Sequence, residues 1–274
     1  MRERGINMKI SVIIPSYKPQ EYIFECLTSL QGQTLSNKQF EVLIILNGEK
    51  EPYYSKIDNY IKKNNLFNFI LLYTKEKGVS NARNIGLKKS QGENIAFIDD
   101  DDYISSNYLE EMLKKINYNT IVICNIFRFY DNTDTFISDS EFIENNTVNN
   151  ILKGKKYFSM ACCKLIPKVI LKNVFFKTNL KNSEDTIFMM EISKNIKLIK
   201  TTPANIIYYR RIRENSAYFR KKTKQEIIGN FFQQLFYLFL FLINKEYNKK
   251  FITVKILGLI KGTLKILVVG QEKL

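Results

Sequence analysis

Within its first hundred residues the chain alternates dense β-branched runs with segments of helical periodicity, and few folds accommodate that alternation. Lys9–Pro15 (KISVIIP) and Phe40–Leu46 (FEVLIIL) are short, continuous apolar runs with the character of strands buried on both faces. Phe69–Tyr73 and Asn94–Ile98 (NIAFI) supply two more. Between them, Glu21–Leu30 sets Tyr22, Cys26, Leu27 and Leu30 at helical spacing, and Tyr53–Asn64 and Val79–Ser90 also read as helices. Repeated β–α units of this length predict an α/β fold: a Rossmann-like, mostly parallel sheet flanked by helices on both faces. Ligands of such sheets lie beyond the carboxyl ends of the strands. Those positions hold Pro15-Ser16-Tyr17, Asn47-Gly48 and Asp99-Asp100-Asp101-Asp102.

Further along, strand-like runs fall at Thr120–Tyr130, Phe158–Ile166 and Ile206–Tyr209, with a helix over Glu184–Lys194. From about residue 224 onward the pattern is two long apolar helices without strands, a C-terminal helical extension. Charge adds a constraint. The net charge of +15 favours anionic partners such as nucleic acid, phosphorylated ligands or an anionic membrane, although Lys-rich usage of an AT-rich genome accounts for part of the excess. The chain has no histidine, so acid–base chemistry falls to carboxylates, Lys, Tyr or Cys. Its four cysteines, Cys26, Cys124, Cys162 and Cys163, form no CxxC pair and sit among apolar residues, which predicts buried free thiols. The charged opening, Met1-Arg2-Glu3-Arg4, lacks the apolar stretch of a signal peptide, so the expected location is the cytoplasm.

Four consecutive aspartates after an apolar strand repel one another and need full solvation or a positive partner. At a sheet's carboxyl edge, alternate carboxylates chelate a hard divalent cation such as Mg²⁺ or Mn²⁺. The structural alternative is a solvated turn that caps a helix beginning near Ser106. Phosphohydrolases with an aspartyl nucleophile also carry DxD after a strand, but the later Thr and Lys they require have no evident strand context here.

Four segments then occur in one order: VIIPSY at Val12–Tyr17, ECLTSLQGQT at Glu25–Thr34, GVSNARNIGL at Gly78–Leu87, and GENIAFIDDDDY at Gly92–Tyr103. Together they resemble the family 2 glycosyltransferases, which have a GT-A fold, strongly over residues 8–115 and more weakly beyond. The resemblance implies that Pro15, Ser16 and Tyr17 line the nucleotide pocket, with Tyr17 near the base. Asn47 stands where the family usually has an Asp contacting base or ribose, and an amide still donates and accepts hydrogen bonds. Arg83, in the A-R-N segment, lies close to the donor. Asp99 and Asp101 match the DxD, which holds the ribose and the metal bridging the diphosphate. Asp100 assists at the nucleotide and Asp102 at the metal, so the implied ligand set is Asp99, Asp101 and Asp102 around Mn²⁺ or Mg²⁺. Without the resemblance, Tyr17 and Arg83 would read as a strand-end aromatic and a solvated helix charge.

Asn182-Ser183-Glu184-Asp185 precedes the helical TIFMMEI. Ser183 is well suited to cap that helix, with Glu184 and Asp185 favoured by its dipole, which is a complete structural explanation. The resembling family carries an E-D pair at this distance from its DxD, and its Asp acts as base on the acceptor hydroxyl. That assigns Asp185 as base and Glu184 as a contact to acceptor or donor. The reaction implied is a single in-line displacement with inversion. Tyr208–Ser216 (YYRRIRENS) resembles a segment after the E-D helix in many bacterial members. Its basic residues, Arg213 among them, would meet the diphosphate, although a solvated basic loop accounts for them as well.

The resemblance divides the chain into a catalytic domain over 8–220, with a nucleotide-sugar half (8–115) and an acceptor half (116–220), and an amphipathic helical tail over 221–274. In the tail, Phe231–Ile243 is too short by itself to span a bilayer. Over Phe251–Val269, Lys255, Lys261 and Lys265 share a sector opposite a broad apolar face, which suits a helix lying in an anionic membrane surface or packing on protein. The expected partners are therefore a nucleotide-sugar donor, UDP-linked by default in the family, a glycan or lipid-linked acceptor of surface polysaccharide or lipooligosaccharide, and the inner face of the plasma membrane. Nucleic acid is not among them. A nucleotidyltransferase would need a Gly-rich loop where Pro15-Ser16-Tyr17-Lys18-Pro19 stands. A non-catalytic basic protein of the membrane surface or of polyanions leaves the aspartates without purpose.

Overall fold

The computed structural model describes residues 8–131, 135–138, 142–180, 182–213 and 222–269. The chain opens with β1 (Ile10–Ser16), α1 (Tyr22–Gln31), β2 (Phe40–Asn47), α2 (Tyr53–Lys63), β3 (Phe69–Thr74), α3 (Val79–Lys89) and β4 (Asn94–Phe97). It continues through β5 (Tyr103–Ile104), α4 (Tyr108–Lys115), β6 (Thr120–Ile123), β7 (Asn125–Phe129), β8 (Phe136–Ser138), β9 (Thr147–Val148) and β10 (Lys164–Pro167). After α5 (Lys168–Leu171) and α6 (Glu184–Ile192) come β11 (Leu198–Thr201), β12 (Ile207–Arg211), α7 (Lys224–Ile243) and α8 (Lys249–Val269).

Eight strands form the main sheet in the order β3-β2-β1-β4-β10-β6-β11-β9. The four strands of the first half run parallel, and β10 reverses direction between β4 and β6. Every residue of β1 and β2 is buried, which their unbroken apolar runs require of strands covered on both faces. Helix α1 buries Ile23, Cys26, Leu27 and Leu30, the stripe its periodicity predicts. All four cysteines are buried free thiols. Beside the main sheet, a smaller one in the order β5-β12-β7-β8 brings β12 against Tyr103–Ile104, just past the aspartates.

Packing places α6 where its first turn faces the end of β4. Phe97 meets Phe176 and Phe188 edge-on, and those two rings stack with centroids 3.9 Å apart. Such pairs contribute about 0.5–1.5 kcal/mol each beyond their burial, so the aromatic cluster is a firm seat for α6.

Three expectations need correction. Thr120–Tyr130 is not one strand: it breaks at Cys124 into β6 and β7, which join different sheets, and the Cys124 N–H bonds to the Cys163 carbonyl at 3.3 Å. Strand β10 begins only at Lys164 within the Phe158–Ile166 run, because Lys155–Phe158 forms a 3₁₀ turn and Cys163 takes a left-handed φ of 64°. The apolar tail run extends into a 20-residue helix, α7, started by a capping box between Thr223 and Glu226. By length and composition α7 is sufficient to cross a bilayer. Yet α7 buries Ile227, Leu238 and Phe241, and α8 buries Phe251 and Ile252, so the helical pair is seated on the body of the molecule.

Candidate active site

Arg83 organises the site. It projects from α3 into the interior, 3% exposed. Its Nη1 donates to Asp185 Oδ1 at 2.5 Å and reaches Glu184 Oε1 at 3.5 Å, while Nη2 donates to Asp99 Oδ1 at 2.9 Å. The guanidinium lies 5.2 Å from the Phe176 ring centroid. Burial works against its charge, but Asp185 and then Asp99 overcome that and hold its pKa well above the ordinary value. One planar fork therefore joins the carboxylates at the head of α6 to the aspartate after β4. Asp185 is further fixed by the Ala161 N–H, which donates to Oδ2 at 3.2 Å. Glu184 is raised by burial and by the adjacent Asp185.

The start of α3 is positioned by Asn47. Its Nδ2 donates to the Ser16 carbonyl at 2.7 Å, and its Oδ1 accepts the Gly78 N–H at 2.9 Å. One buried amide thus ties β1, β2 and α3 together, using a donor that the family's usual Asp does not have. Gly78 has φ 124°, open to glycine and costly for other residues.

The aspartates divide by environment. Asp100 accepts from Ser16 Oγ at 2.7 Å, and burial together with Asp101 pushes its carboxyl up to about 7. Asp101 is paired with Arg213, although burial and Asp99 still raise it. Asp102 is buried. Its Oδ1 accepts the Arg211 N–H at 2.8 Å, and burial with Asp101 and Asp99 pushes it well up. Tyr208 accepts the Asp99 N–H at 3.1 Å. Arg213 lies 4.5 Å over the Tyr22 ring and donates to its hydroxyl at 3.0 Å. Among the described residues, the Nε of Arg83 and the Nε of Arg213 have no acceptor.

Of the residues singled out from sequence, Ser16, Asn47, Arg83, Asp99, Asp100, Asp101, Asp102, Glu184, Asp185 and Arg213 converge here. Tyr17 stands at the rim, 46% exposed, with the Lys77 ammonium 5.9 Å from its ring centroid. A Cβ at Gly48 would approach that ring to 2.8 Å. Pro15 lies buried inside β1. Ser183 does not cap α6: it sits at the capping position with φ 63° and makes no side-chain cap bond. The strained backbone instead delivers Glu184 and Asp185 to Arg83. Residues 214–221, the rest of the basic segment, lie outside the described residues. Arg211, one of the basic residues of that segment, turns to the protein instead: its Nε donates to the Asp101 carbonyl at 2.9 Å and it pairs with Glu25 and Asp131. Sequence reasoning did not foresee the roles of Tyr208 and Tyr22 at the site. The basic YYRRIR run was the available signal, but partners eighty or more residues away are not legible in it.

No three His, Cys, Asp or Glu side chains among the described residues converge as a ready-made metal cage. The oxygens present are hard donors, and Asp99 and Asp101 are held by one arginine each.

The profile of Glycosyl transferase family 2 matches residues 11–175, more than half of the chain. The poly(ribitol-phosphate) beta-N-acetylglucosaminyltransferase TarS of Staphylococcus aureus is 27% identical over 227 residues, covering 81% of this chain and 39% of that protein. The minor teichoic acid biosynthesis protein GgaB of Bacillus subtilis is 27% identical over 228 residues, 79% of this chain and 24% of that protein. The chain thus spans well under half the length of these relatives. The crystal structure of S. aureus TarS 1–349 in complex with UDP-GlcNAc superposes with a TM-score of 0.79 at 21% identity, covering 97% of this chain and 77% of that one, a likeness of fold. With the profile match, the four ordered motifs and the sheet they build in agreement, the chain belongs to the family 2 glycosyltransferases and has their GT-A fold.

Proposed function

We propose that the chain moves a sugar from a UDP-sugar to a hydroxyl of a glycan or lipid-linked acceptor in the synthesis of a cell-surface polymer. The observation that carries this reading is the Arg83 bridge, which links the aspartate after β4 to the carboxylates heading α6. The donor nucleotide takes its support from the UDP-GlcNAc bound to TarS, and the acceptor class from TarS, a poly(ribitol-phosphate) glycosyltransferase, and GgaB, a teichoic acid biosynthesis protein.

In this mechanism Asp185 takes the proton of the acceptor hydroxyl as its oxygen attacks the anomeric carbon. The nucleotide diphosphate leaves from the opposite face, so configuration inverts. Arg83 orients Asp185 and balances its charge. Ser16, Asn47 and Tyr17 shape the nucleotide side, with the spare N–H of Arg213 available to a phosphate oxygen. A divalent ion fits the donor set, because Mg²⁺-type sites use one or two carboxylates and complete their shell with phosphate oxygens and water. Asp99 and Asp101 would hold it, with Asp102 anchoring the loop from beneath. When bound, such an ion offsets charge developing on the departing diphosphate.

The tail reading is a peripheral one on the cytoplasmic membrane face. Phe232, Phe236, Phe239 and Ile243 of α7 and Leu257, Leu264 and Val268 of α8 are exposed, and Lys261 and Lys265 supply positive charge. The test of function is nucleotide release from a panel of sugar nucleotides without acceptor, with Mn²⁺ or Mg²⁺ and then with EDTA. Metal-dependent turnover of one donor, abolished by Asp101→Ala, supports the reading. If no donor turns over and calorimetry detects no nucleotide binding, the transferase reading fails.

A further inference from the structure

Around the segment that donates to Asp185 stand three lysines, Lys155, Lys164 and Lys255. Lys164 opens β10 and is 2% exposed, and among the described residues its Nζ donates to the Cys162 carbonyl, at 3.1 Å. The same short segment supplies the Ala161 N–H to Asp185 and the Cys162 sulfur to Arg83 at 4.0 Å. Lys155 begins the 3₁₀ turn that leads into this segment and is exposed. From across the gap, α8 closes on the turn: Phe251 packs edge-on against Phe158 with centroids 5.1 Å apart, and Lys255 rises 5.9 Å over the Phe251 ring. Among the described residues no ion pair joins a carboxylate to Lys155, Lys164 or Lys255.

The electrostatics agree with that crowding. Burial lowers Lys164, opposed by Cys163, Cys162 and Cys124 and most weakly by Asp185. Burial, then Lys164 and Lys155, push Lys255 down to about 8. Two ammonium groups, those of Lys164 and Lys255, are held out of water at a cost beside the exposed Lys155, with no ion pair to a carboxylate among the described residues, an arrangement suited to receiving a negative group. This also changes the reading of α8, because Lys255 faces the domain while Lys261 and Lys265 remain exposed.

From this juxtaposition we infer that Lys155 and Lys255, with Lys164 beneath them, form an acceptor-side anion subsite that receives a phosphoryl group of the acceptor next to the hydroxyl presented to Asp185. The inference rests on the assignment of Asp185 as base and narrows the acceptor to a phosphoryl-bearing one. Two sources share that chemistry, a phosphodiester polymer of polyols and a lipid-linked diphosphate.

The test is a calorimetric titration of the full chain, loaded with UDP, using three probes: a glycerol phosphate oligomer, a short-chain prenyl diphosphate sugar and a neutral oligosaccharide of similar length. At least one phosphoryl probe should bind, with Lys255→Gln and Lys155→Gln each weakening it about tenfold and leaving the neutral probe unaffected. The phosphoryl probe that binds more tightly identifies the source. Lys155 is exposed, so its variant folds even if the Lys255 variant does not, and thermal melts check both. Phosphoryl binding equal in wild type and both variants, no phosphoryl binding at all, or equally tight neutral binding would each overturn the inference. Donor hydrolysis by the unaltered chain, measured in parallel, reports on the transferase reading alone, so the two failures are distinguishable.

Discussion

Replacing Arg83 with Met removes the positive centre of the site while keeping a side chain of similar length. At an effective dielectric near 20, a charge pair about 3 Å apart carries roughly 5 kcal/mol of gross attraction, and Arg83 makes two such contacts and one longer one. Most of that offsets the burial of the guanidinium. The measurable loss is the cost of carboxylates left unpaired, about 3–5 kcal/mol for a buried pair. Asp99 is 40% exposed and regains water, whereas Glu184 and Asp185, at 16% and 19%, do not, so the lower end applies. A loss of about 3 kcal/mol should lower Tm by roughly 6–12 °C in a chain of this size. Calorimetric melts of wild type, Arg83→Met, Asp185→Asn and the double variant measure the coupling directly, expected at about 1–3 kcal/mol. Additive effects within about 0.3 kcal/mol would refute the claim that Arg83 and Asp185 act as one unit.

Other outcomes follow from the same geometry. Asp185→Asn keeps an oxygen for Arg83 but has no carboxylate to take a proton, so transfer should fall about 10²–10⁴-fold while nucleotide affinity by calorimetry is retained. Asn47→Asp loses the donor to the Ser16 carbonyl in a buried position and should destabilise by about 1–3 kcal/mol in urea titrations. Lys255→Met should stabilise the fold at pH 7 by about 1–3 kcal/mol. The folded pKa near 8 lies below the ordinary 10.5, so the cost of the charge is fully present below pH 8. Between 8 and 10.5 the folded wild type sheds the proton first, and the advantage of the variant should shrink in melts across that range. Phe232→Asp with Phe236→Asp should weaken pelleting with anionic vesicles at least tenfold, since each ring contributes about 1.5–3 kcal/mol when buried in an apolar phase.

The β–α half of the fold was legible because buried parallel strands write themselves as unbroken β-branched runs, as in Ile10–Ser16 and Phe40–Asn47. The second half was less so. In Thr120–Tyr130 the polar Asn125 and Arg128 distinguish the second half from the first, but they do not reveal that Cys124 hands the chain from one sheet to another. Around the aspartates, the motif order pointed to the carboxylates but not to their counter-charges. Arg211 and Arg213 reach Asp101, Asp102, Glu25 and Tyr22 through tertiary contacts across more than a hundred residues. Ser183 illustrates the reverse case: its residue type suits a cap, but its left-handed backbone serves the placement of Glu184 and Asp185 instead. Lys255 was grouped with Lys261 and Lys265 by the helical wheel, which contains no information about what Phe251 and Phe158 pull towards the domain.

The most direct test of Asp185-directed single displacement needs no acceptor. Hydrolysis of an α-linked UDP-sugar can be followed by proton NMR in the first minutes, before the released sugar equilibrates between anomers. Attack by water aligned by Asp185 predicts that the β anomer appears first and that Asp185→Asn abolishes it. Initial release of the α anomer would contradict inversion, and with it the catalytic role of the Arg83–Asp185 pair.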